Sequence, residues 1–290
     1  MSAFAPHPVY GDFALDPGLD TVGVELPVGT LSAFLIEPRR PGRATALLVP
    51  GYTGSKEDFR LLLPELAAAG VRALAITRRG QADSAAPDDP DAYALDEEAG
   101  DVAQVAALLA AASDDAAVHL LGHSLGGVIA ARAAALAPER FASLTLLCSG
   151  PHGWAYRKLR ERVLAGTEGN LAVWQSANPR WHGVPEEAMD ADARFVRRRM
   201  LDTSARSIVG GAVILEDEHD LTEEVGGTGL PVLVAHGEHD DAWPTPWQRA
   251  MAEQLGARYA VIGDAFHSPG IEAPAATAAL LADFWTAAQA

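Results

Sequence analysis

Gly122-His123-Ser124-Leu125-Gly126 is the stretch of this 290-residue sequence that decides the predicted fold. It follows a short apolar run typical of a buried strand and precedes an alanine-rich run typical of a helix. In that setting it predicts a sharp turn where a side chain at either glycine would collide with its surroundings. Such a turn lifts the serine hydroxyl clear of the sheet, beside the positive end of the helix dipole. The alternative is a glycine-rich turn that only packs a helix on a strand.

Short apolar runs alternate with longer helical patterns on both sides of this turn. Most runs are continuous, as expected for strands that helices cover on both faces. The alternation predicts an α/β fold with a mostly parallel sheet flanked by helices. The candidate strands are residues 31–37, 45–49, 72–76, 118–121, 143–148, 231–235 and 257–262, and the candidate helices are residues 56–69, 96–112, 125–137, 246–255 and 274–288.

Residues 151–215 interrupt the alternation and have the pattern of helices and loops. They carry a net charge of +3, against −20 for the rest of the chain. We interpret them as a helical cap inserted into a core of residues 1–150 and 216–290. An ordinary long excursion with solvated helix faces is the alternative. The segment contains three of the six tryptophans of the chain, Trp154, Trp174 and Trp181.

A serine hydroxyl is a weak nucleophile at neutral pH, so catalysis by Ser124 requires a base and a group that orients the base. His267 is the first candidate base, because it follows the last candidate strand and precedes the last helix. The acid is expected from the loop after the preceding strand, which supplies Asp240 and Asp241. The second choices for the base follow that same strand, at His236 and His239.

These motifs together resemble the α/β-hydrolase superfamily in its capped, esterase-like form. The resemblance covers residues 25–150 and 220–290. It rests on the G-H-S-x-G-G turn, a G-x-x-D after the penultimate strand and a G-x-x-x-H-S-P after the last strand. It implies the α/β-hydrolase fold with about eight strands. Matched position by position, it implies a catalytic triad of Ser124, Asp240 and His267, with Asp240 rather than its neighbour as the acid.

Residues 50–55 resemble the oxyanion loop His-Gly-x-x-x-Ser of the family, with Pro50 in place of the usual histidine. The resemblance implies an oxyanion hole formed by the backbone N–H groups of Tyr52 and Leu125. Because the donor is an amide two residues after the proline, we expect the role of Tyr52 to survive this change.

Aromatic side chains are predicted to line the substrate pocket. Tyr52 and Trp243 lie in loops of the predicted site, and Trp154, Trp174 and Trp181 lie in the predicted cap. For Trp243, packing in the interior is an equal alternative.

Three other features have rival interpretations. A group of possible metal ligands crowds one loop, at His236, His239, Asp240 and Asp241. Zinc requires three or four convergent ligands, and no second cluster supports such a site. Cys148 is interpreted as a small buried residue rather than a catalytic one. A basic stripe with i, i+3, i+4 spacing is formed by Arg194, Arg197 and Arg198. We interpret it as a solvated helix face, with anion binding as the alternative. We expect no cofactor and no metal.

The formal net charge is −17, from 22 basic and 39 acidic residues. This charge repels phosphate backbones and anionic lipid surfaces, so neither a nucleic acid nor a membrane is an expected partner. The sequence has one cysteine, no basic residue before Arg39 and no apolar stretch of about 18 residues. We therefore expect a cytoplasmic location. The expected partner is a small-molecule, ester-like substrate, and nothing in the sequence indicates the oligomeric state.

The resemblance implies hydrolysis of small to medium carboxylic esters through an acyl-enzyme on Ser124. Hydrolysis of lactones, thioesters or C–C bonds and cofactor-free perhydrolysis use the same triad, and the fold does not separate these reactions. A non-catalytic small-molecule receptor on this fold is the alternative from another class. The intact triad argues against the receptor.

Overall fold

The computed structural model describes residues 4–40, 44–113 and 117–288. Nine strands form one sheet within these ranges. They are β1 (Phe4–Pro6), β2 (Leu19–Leu26), β3 (Gly29–Ile36), β4 (Ala44–Val49), β5 (Val71–Ile76), β6 (Val118–His123), β7 (Phe141–Leu147), β8 (Val232–Gly237) and β9 (Arg258–Ile262). Their order across the sheet is β1-β2-β3-β5-β4-β6-β7-β8-β9.

Strands β4 to β9 run parallel, and β1 to β3 form an antiparallel edge. The predicted mostly parallel α/β sheet is therefore confirmed, and all seven candidate strands form. The central strands β4, β6 and β8 are buried along their whole length, which explains their continuous apolar sequences. Sequence analysis missed β1 and β2, because part of each is exposed and neither is a continuous apolar run.

Eleven α-helices lie within the described ranges, and none of them is both long and apolar enough to cross a membrane. They are α1 (Leu62–Ala68), α2 (Leu95–Ser113), α3 (Leu125–Leu136), α4 (Leu159–Thr167), α5 (Asn170–Ala177), α6 (Ala191–Asp202), α7 (Ala205–Glu216), α8 (Thr222–Gly227), α9 (Thr245–Leu255), α10 (Pro269–Glu272) and α11 (Pro274–Ala288). One face of the sheet carries α2, α3, α8 and α9, and the other carries α1 and α11.

The connection between β7 and β8, all of it within the described ranges, contains helices α4 to α8, joined by loops and short 3-10 turns, and no strand. Helix α4 packs on α7, and α5 packs on both α4 and α6. These helices share a small apolar cluster of their own, which includes Val173, Trp174 and Ile208. Helix α8 differs, because it packs on α3 and α9 beside the sheet.

The N-terminal segment lies along α6 and connects it to the sheet. Tyr10 donates its hydroxyl hydrogen to Asp202 at 2.9 Å, and the Phe13 ring lies 4.5 Å from the Phe195 ring. A second tie joins α6 to the loop after β4, where Arg199 forms an ion pair with Asp58 at 2.6 Å. Helix α6 is therefore held against the carboxyl side of the sheet from two directions.

Candidate active site

Ser124 sits in the turn between β6 and α3 with φ 55° and ψ −121°, a strained conformation for a residue with a side chain. The glycines around it leave the room that this turn needs. A Cβ at Gly122 would overlap the backbone of Gly126, and a Cβ at Gly126 would overlap the carbonyl oxygens at the end of β4. The predicted sharp turn is therefore present, and its glycines are sterically required.

Three polar side chains from separate loops form one hydrogen-bonded chain. Ser124 Oγ lies 3.0 Å from His267 Nε2, and His267 Nδ1 lies 2.8 Å from Asp240 Oδ1. Ser124 follows β6, Asp240 follows β8 and His267 follows β9. The parallel strands end at the same edge of the sheet, so these three loops meet there. Such an arrangement can withdraw the proton from a serine hydroxyl.

The Asp240 carboxylate is fully buried and has several hydrogen-bond donors. It accepts from the backbone N–H of Ala242 at 3.0 Å and from Gln248 Nε2 at 3.3 Å. Burial alone would raise the pKa of Asp240, but the hydrogen bond and charge of His267, with those donors, hold it below its usual value. The neighbouring Asp241 is exposed and makes none of these contacts.

His123 fixes the backbone of the candidate base, His267. Its Nε2–H donates to the backbone carbonyl of His267 at 2.6 Å. Burial, with the nearby His267 charge, lowers the pKa of His123 to about 4, so this ring is neutral at physiological pH. Sequence analysis did not assign it a role.

The loop after β4, which carries the predicted oxyanion donor Tyr52, lies against Ser124, and the other predicted donor, Leu125, follows Ser124 directly. A Cβ at Gly51 would lie 3.1 Å from Ser124 Cβ, so the two chains are in close contact. The buried Arg78 donates to the Gly51 carbonyl at 3.2 Å and fixes the loop. Among the described residues, neither the Tyr52 nor the Leu125 backbone N–H donates to a protein acceptor. Both amides are free to bind a substrate oxygen.

A cavity of about 310 Å³ opens beside Ser124. From the core its walls include Tyr52, Ser124 and His267, and from the connection between β7 and β8 they include Arg157, Lys158, Arg199 and Leu215. The Tyr52 side chain crosses to α7, where its hydroxyl donates to the Ile208 carbonyl at 2.9 Å.

None of the four predicted pocket tryptophans is among the residues that line this cavity. Trp243 is fully buried and donates its Nε1–H to a backbone carbonyl, while Trp174 and Trp181 pack in the apolar cluster of the helices. Trp154 and Trp243 reach the cavity indirectly. They hold the Arg157 guanidinium between them, with its carbon 3.9 and 3.7 Å from their ring centroids.

The histidines of the rival interpretations lie elsewhere. His236 lies 2.6 Å from the Tyr259 hydroxyl, and the His239 ring lies against Phe266. The structure therefore directs both rings away from the hydrogen-bonded chain, and it does not gather the predicted rival ligands into one metal site.

A different group could approach a metal ion within the described ranges, formed by His123, Cys148 and His267, whose ligand atoms lie within 4.8 Å of one another. The histidine nitrogens that face this point already form hydrogen bonds. Burial, with the nearby Asp240 charge, raises the pKa of the Cys148 thiol well above its usual value. A protonated thiol is a poor metal ligand, so these residues fit the hydrogen-bonded chain better than an ion.

Sequence analysis missed the basic residues of the cavity. It singled out Arg194, Arg197 and Arg198, whereas Arg157 and the adjacent Arg199 are the arginines that reach the site. Arg197 and Arg198 pair instead with carboxylates of the helical segment itself. The net charge of +3 in residues 151–215 was the available signal, but it does not say which arginine points inward.

The comparisons with known proteins agree with this geometry. The sequence model described as "Alpha/beta hydrolase family" matches residues 46–280. Among solved structures, the enol-lactonase from Burkholderia xenovorans LB400 superposes with a TM-score of 0.71 at 25% identity, covering 88% of this chain and 97% of that one.

Two curated proteins are also similar. A candidate 2-succinyl-6-hydroxy-2,4-cyclohexadiene-1-carboxylate synthase of Bacillus subtilis (strain 168) is 24% identical over 288 residues, covering 92% of this chain and 99% of that protein. The pimeloyl-[acyl-carrier protein] methyl ester esterase of Pectobacterium carotovorum subsp. carotovorum (strain PC1) is 29% identical over 166 residues. That match covers 53% of this chain and 64% of the esterase.

Proposed function

Because the chain belongs to the alpha/beta hydrolase family, we propose that it is a serine hydrolase that cleaves small to medium carboxylic esters. The observation that carries the proposal is the unbroken hydrogen-bonded chain from Ser124 through His267 to Asp240, at 3.0 and 2.8 Å. The similarity to a methyl ester esterase supports the same chemistry.

In the proposed acylation step, Ser124 Oγ attacks the ester carbonyl carbon while His267 Nε2 takes the hydroxyl proton. The buried Asp240 keeps the imidazole in the required tautomer and stabilises its charged form. When the tetrahedral intermediate collapses, His267 returns the proton to the leaving alcohol, and the acyl group remains on Ser124.

In the proposed deacylation step, water enters where the alcohol left. His267 accepts a proton from this water as its oxygen attacks the acyl carbon, then passes the proton to Ser124 Oγ as the acid departs. In both steps the backbone N–H groups of Tyr52 and Leu125 stabilise the negative oxygen. No cofactor takes part in this mechanism.

We also propose that residues 151–215 are the cap of this site and determine which ester fits. Arg157, Lys158, Arg199 and Leu215 support this role, because all four line the cavity beside Ser124. The tryptophans contribute by supporting these walls rather than by direct contact with substrate.

The test is hydrolysis of 4-nitrophenyl acetate by the wild-type protein and by Ser124→Ala. We expect Ser124→Ala to lower turnover by about 10⁴–10⁶-fold with the fold intact, as for other triad serines. Ser176→Ala, in α5 and outside the cavity lining, is the matched control and should keep wild-type turnover. Equal turnover in the wild type and Ser124→Ala would refute the proposal, and a slow wild-type burst without further turnover would favour a receptor.

Lactone hydrolysis is the second candidate, favoured by the similarity to an enol-lactonase at 25% identity. It uses the same nucleophile, and the leaving oxygen remains part of the acyl chain, so that deacylation releases a single hydroxy acid. A panel of lactones, short thioesters and linear esters compared by kcat/KM distinguishes these reactions. A lactone preference that Ser124→Ala abolishes would replace the ester assignment and retain the mechanism.

A further inference from the structure

Arg157 is a positively charged side chain in the wall of the candidate active site that has no acidic partner. Across the described ranges, no Asp or Glu oxygen lies within 4.0 Å of its guanidinium. Its Nη2 donates to the Ala242 carbonyl, in the loop that carries Asp240. Its Nη1 is buried and has no hydrogen-bond partner. Half of a guanidinium fork is therefore left unsatisfied beside the nucleophile.

The two other basic residues of the cavity differ from Arg157 in this respect. Arg199 pairs with Asp58 at 2.6 Å, and Lys158 pairs with Glu161 at 3.1 Å. Their charges are compensated within the protein. Among the basic residues that line this cavity, Arg157 alone has no ion-pair partner within the described ranges, and the Asp240 charge acts on it only from beyond ion-pair distance.

The indole rings around Arg157 fix the guanidinium but do not replace a hydrogen-bond acceptor. Trp154 and Trp243, whose rings are nearly perpendicular to one another, both lie within 4 Å of the guanidinium carbon, and these contacts offset part of the desolvation cost. Burial lowers the pKa of Arg157 to about 10, so the group remains charged at neutral pH. A half-buried cation without an ion-pair partner is costly to the fold, and such groups concentrate at binding sites.

We propose that Arg157 binds a carboxylate of the substrate, so that the preferred substrate is a small ester or lactone with a second, ionised carboxyl group. A guanidinium binds carboxylates through two parallel N–H donors, and the orphaned Nη1 with its neighbours supplies them. This inference rests on the proposed function, because it places the scissile carbonyl at Ser124 in the same cavity. The cavity volume of about 310 Å³ limits the linker between the two groups to a few atoms.

The experiment compares two esters of the same shape, monoethyl glutarate and ethyl 4-carbamoylbutanoate, which carries an amide in place of the carboxylate. We expect the wild type to prefer the carboxylate ester. Arg157→Leu should lower kcat/KM for that ester by on the order of 100-fold, mainly through KM, and for the amide ester by less than about threefold. Arg157→Lys, which keeps the charge but loses the fork, should fall between them.

Arg249→Leu is the matched control, because Arg249 also lies over an aromatic ring, that of Tyr259, but does not line the cavity. It should leave both esters unaffected. Equal kcat/KM for the two esters in the wild type, or an equal loss for both in Arg157→Leu, would overturn the carboxylate assignment while ester hydrolysis by Ser124 stands.

If neither ester is hydrolysed, that result counts against the proposed ester hydrolysis. A binding measurement still decides whether Arg157 binds a carboxylate. Glutarate is titrated by calorimetry into Ser124→Ala and into Ser124→Ala combined with Arg157→Leu. Binding to the first protein and a loss of at least about tenfold in the second supports the site. Absence of binding to the first protein rejects it.

Discussion

The turn at Ser124 and the helices between β7 and β8 differ most clearly at their glycines. A Cβ at Gly122 or Gly126 would overlap backbone atoms of the neighbouring chain. In the helical segment the space differs from one glycine to the next: an added Cβ at Gly166 would meet nothing within 4 Å, whereas one at Gly210 would overlap a core side chain. The turn at Ser124 therefore has one backbone arrangement, whereas the helical segment is constrained where it packs on the core and open in α4.

This difference indicates that the two regions have separate structural roles. The carboxyl edge of the sheet positions Ser124, Asp240 and His267, and the first two follow strands that are buried along their whole length. The helical segment supplies cavity walls and charge. Substitutions in the first region should affect turnover, and substitutions in the second should affect selectivity or stability by smaller amounts.

The largest expected effect separates two adjacent acids. We expect Asp240→Asn to lower turnover by about 10⁴-fold, because an amide cannot hold the His267 tautomer, as in the serine protease precedent. The exposed Asp241→Asn should keep most of the turnover. Steady-state kinetics on one short ester measures both variants. The reverse ranking would show that Asp241, and not Asp240, is the acid that supports His267.

The next effect compares one glycine from each region. Gly126→Ala should lose about 3 kcal/mol in free energy of unfolding, because the new methyl group overlaps carbonyl oxygens at the end of β4. Gly166→Ala, in the open space of α4, should gain about 0.5–1 kcal/mol from helix propensity. Urea denaturation measures both. A similar cost at the two positions would remove the contrast between the regions.

A pH effect of comparable size is expected at His123. Its pKa is about 4 in the fold and about 6.5 in the unfolded chain, so only the unfolded chain binds this proton between those values. Its contribution is present above pH 6.5 and is lost as the pH falls towards 4, by up to about 3 kcal/mol.

The measurement is the free energy of unfolding between pH 4 and pH 7 in the wild type and in His123→Gln, which retains a donor for the His267 carbonyl. The variant should show the smaller decrease on acidification. The exposed His182→Gln should follow the wild-type curve. If the free energy of unfolding of His123→Gln falls with pH as steeply as that of the wild type, other groups cause the acid sensitivity.

The smallest effect concerns the ion pair between Arg199 and Asp58, which joins helix α6 to the loop after β4. A double-mutant cycle on Arg199→Met and Asp58→Asn should give a coupling of about 1 kcal/mol, because Arg199 is almost buried at this contact. The pair Arg197 and Glu186 lies wholly within the helical segment and is more exposed, so its coupling should stay below about 0.5 kcal/mol. Equal couplings would mean that the tie adds nothing beyond a surface ion pair.

The sequence predicted the parts of this molecule that depend on local pattern. Continuous apolar runs identified the central strands, and strand–turn spacing identified Ser124 and His267. The family resemblance selected Asp240 over its neighbour, and the structure brings these three residues together. The half-exposed strands β1 and β2 lack such runs, and no local signal places β4 between β5 and β6.

The pocket walls were harder to predict, because they depend on distant contacts. Trp154, Trp174 and Trp181 were expected to face the substrate but do not line the cavity. Trp243 follows the alternative of interior packing, against Gly150, where only a hydrogen leaves room for the indole. What distinguishes Arg157 from the other arginines is a missing partner, and the absence of a contact has no signature in a sequence.

The arrangement of indoles around Arg157 has an optical consequence. Trp154, Trp243 and Trp247 form an edge-to-face cluster, and a positive charge lies against the first two rings. Indole emission responds to the electric field across the ring, so neutralising or moving that charge should change its intensity and colour. The protein thus contains its own fluorescent reporter, and occupancy of the cavity by an anion can be followed in real time without a label or a chromogenic substrate.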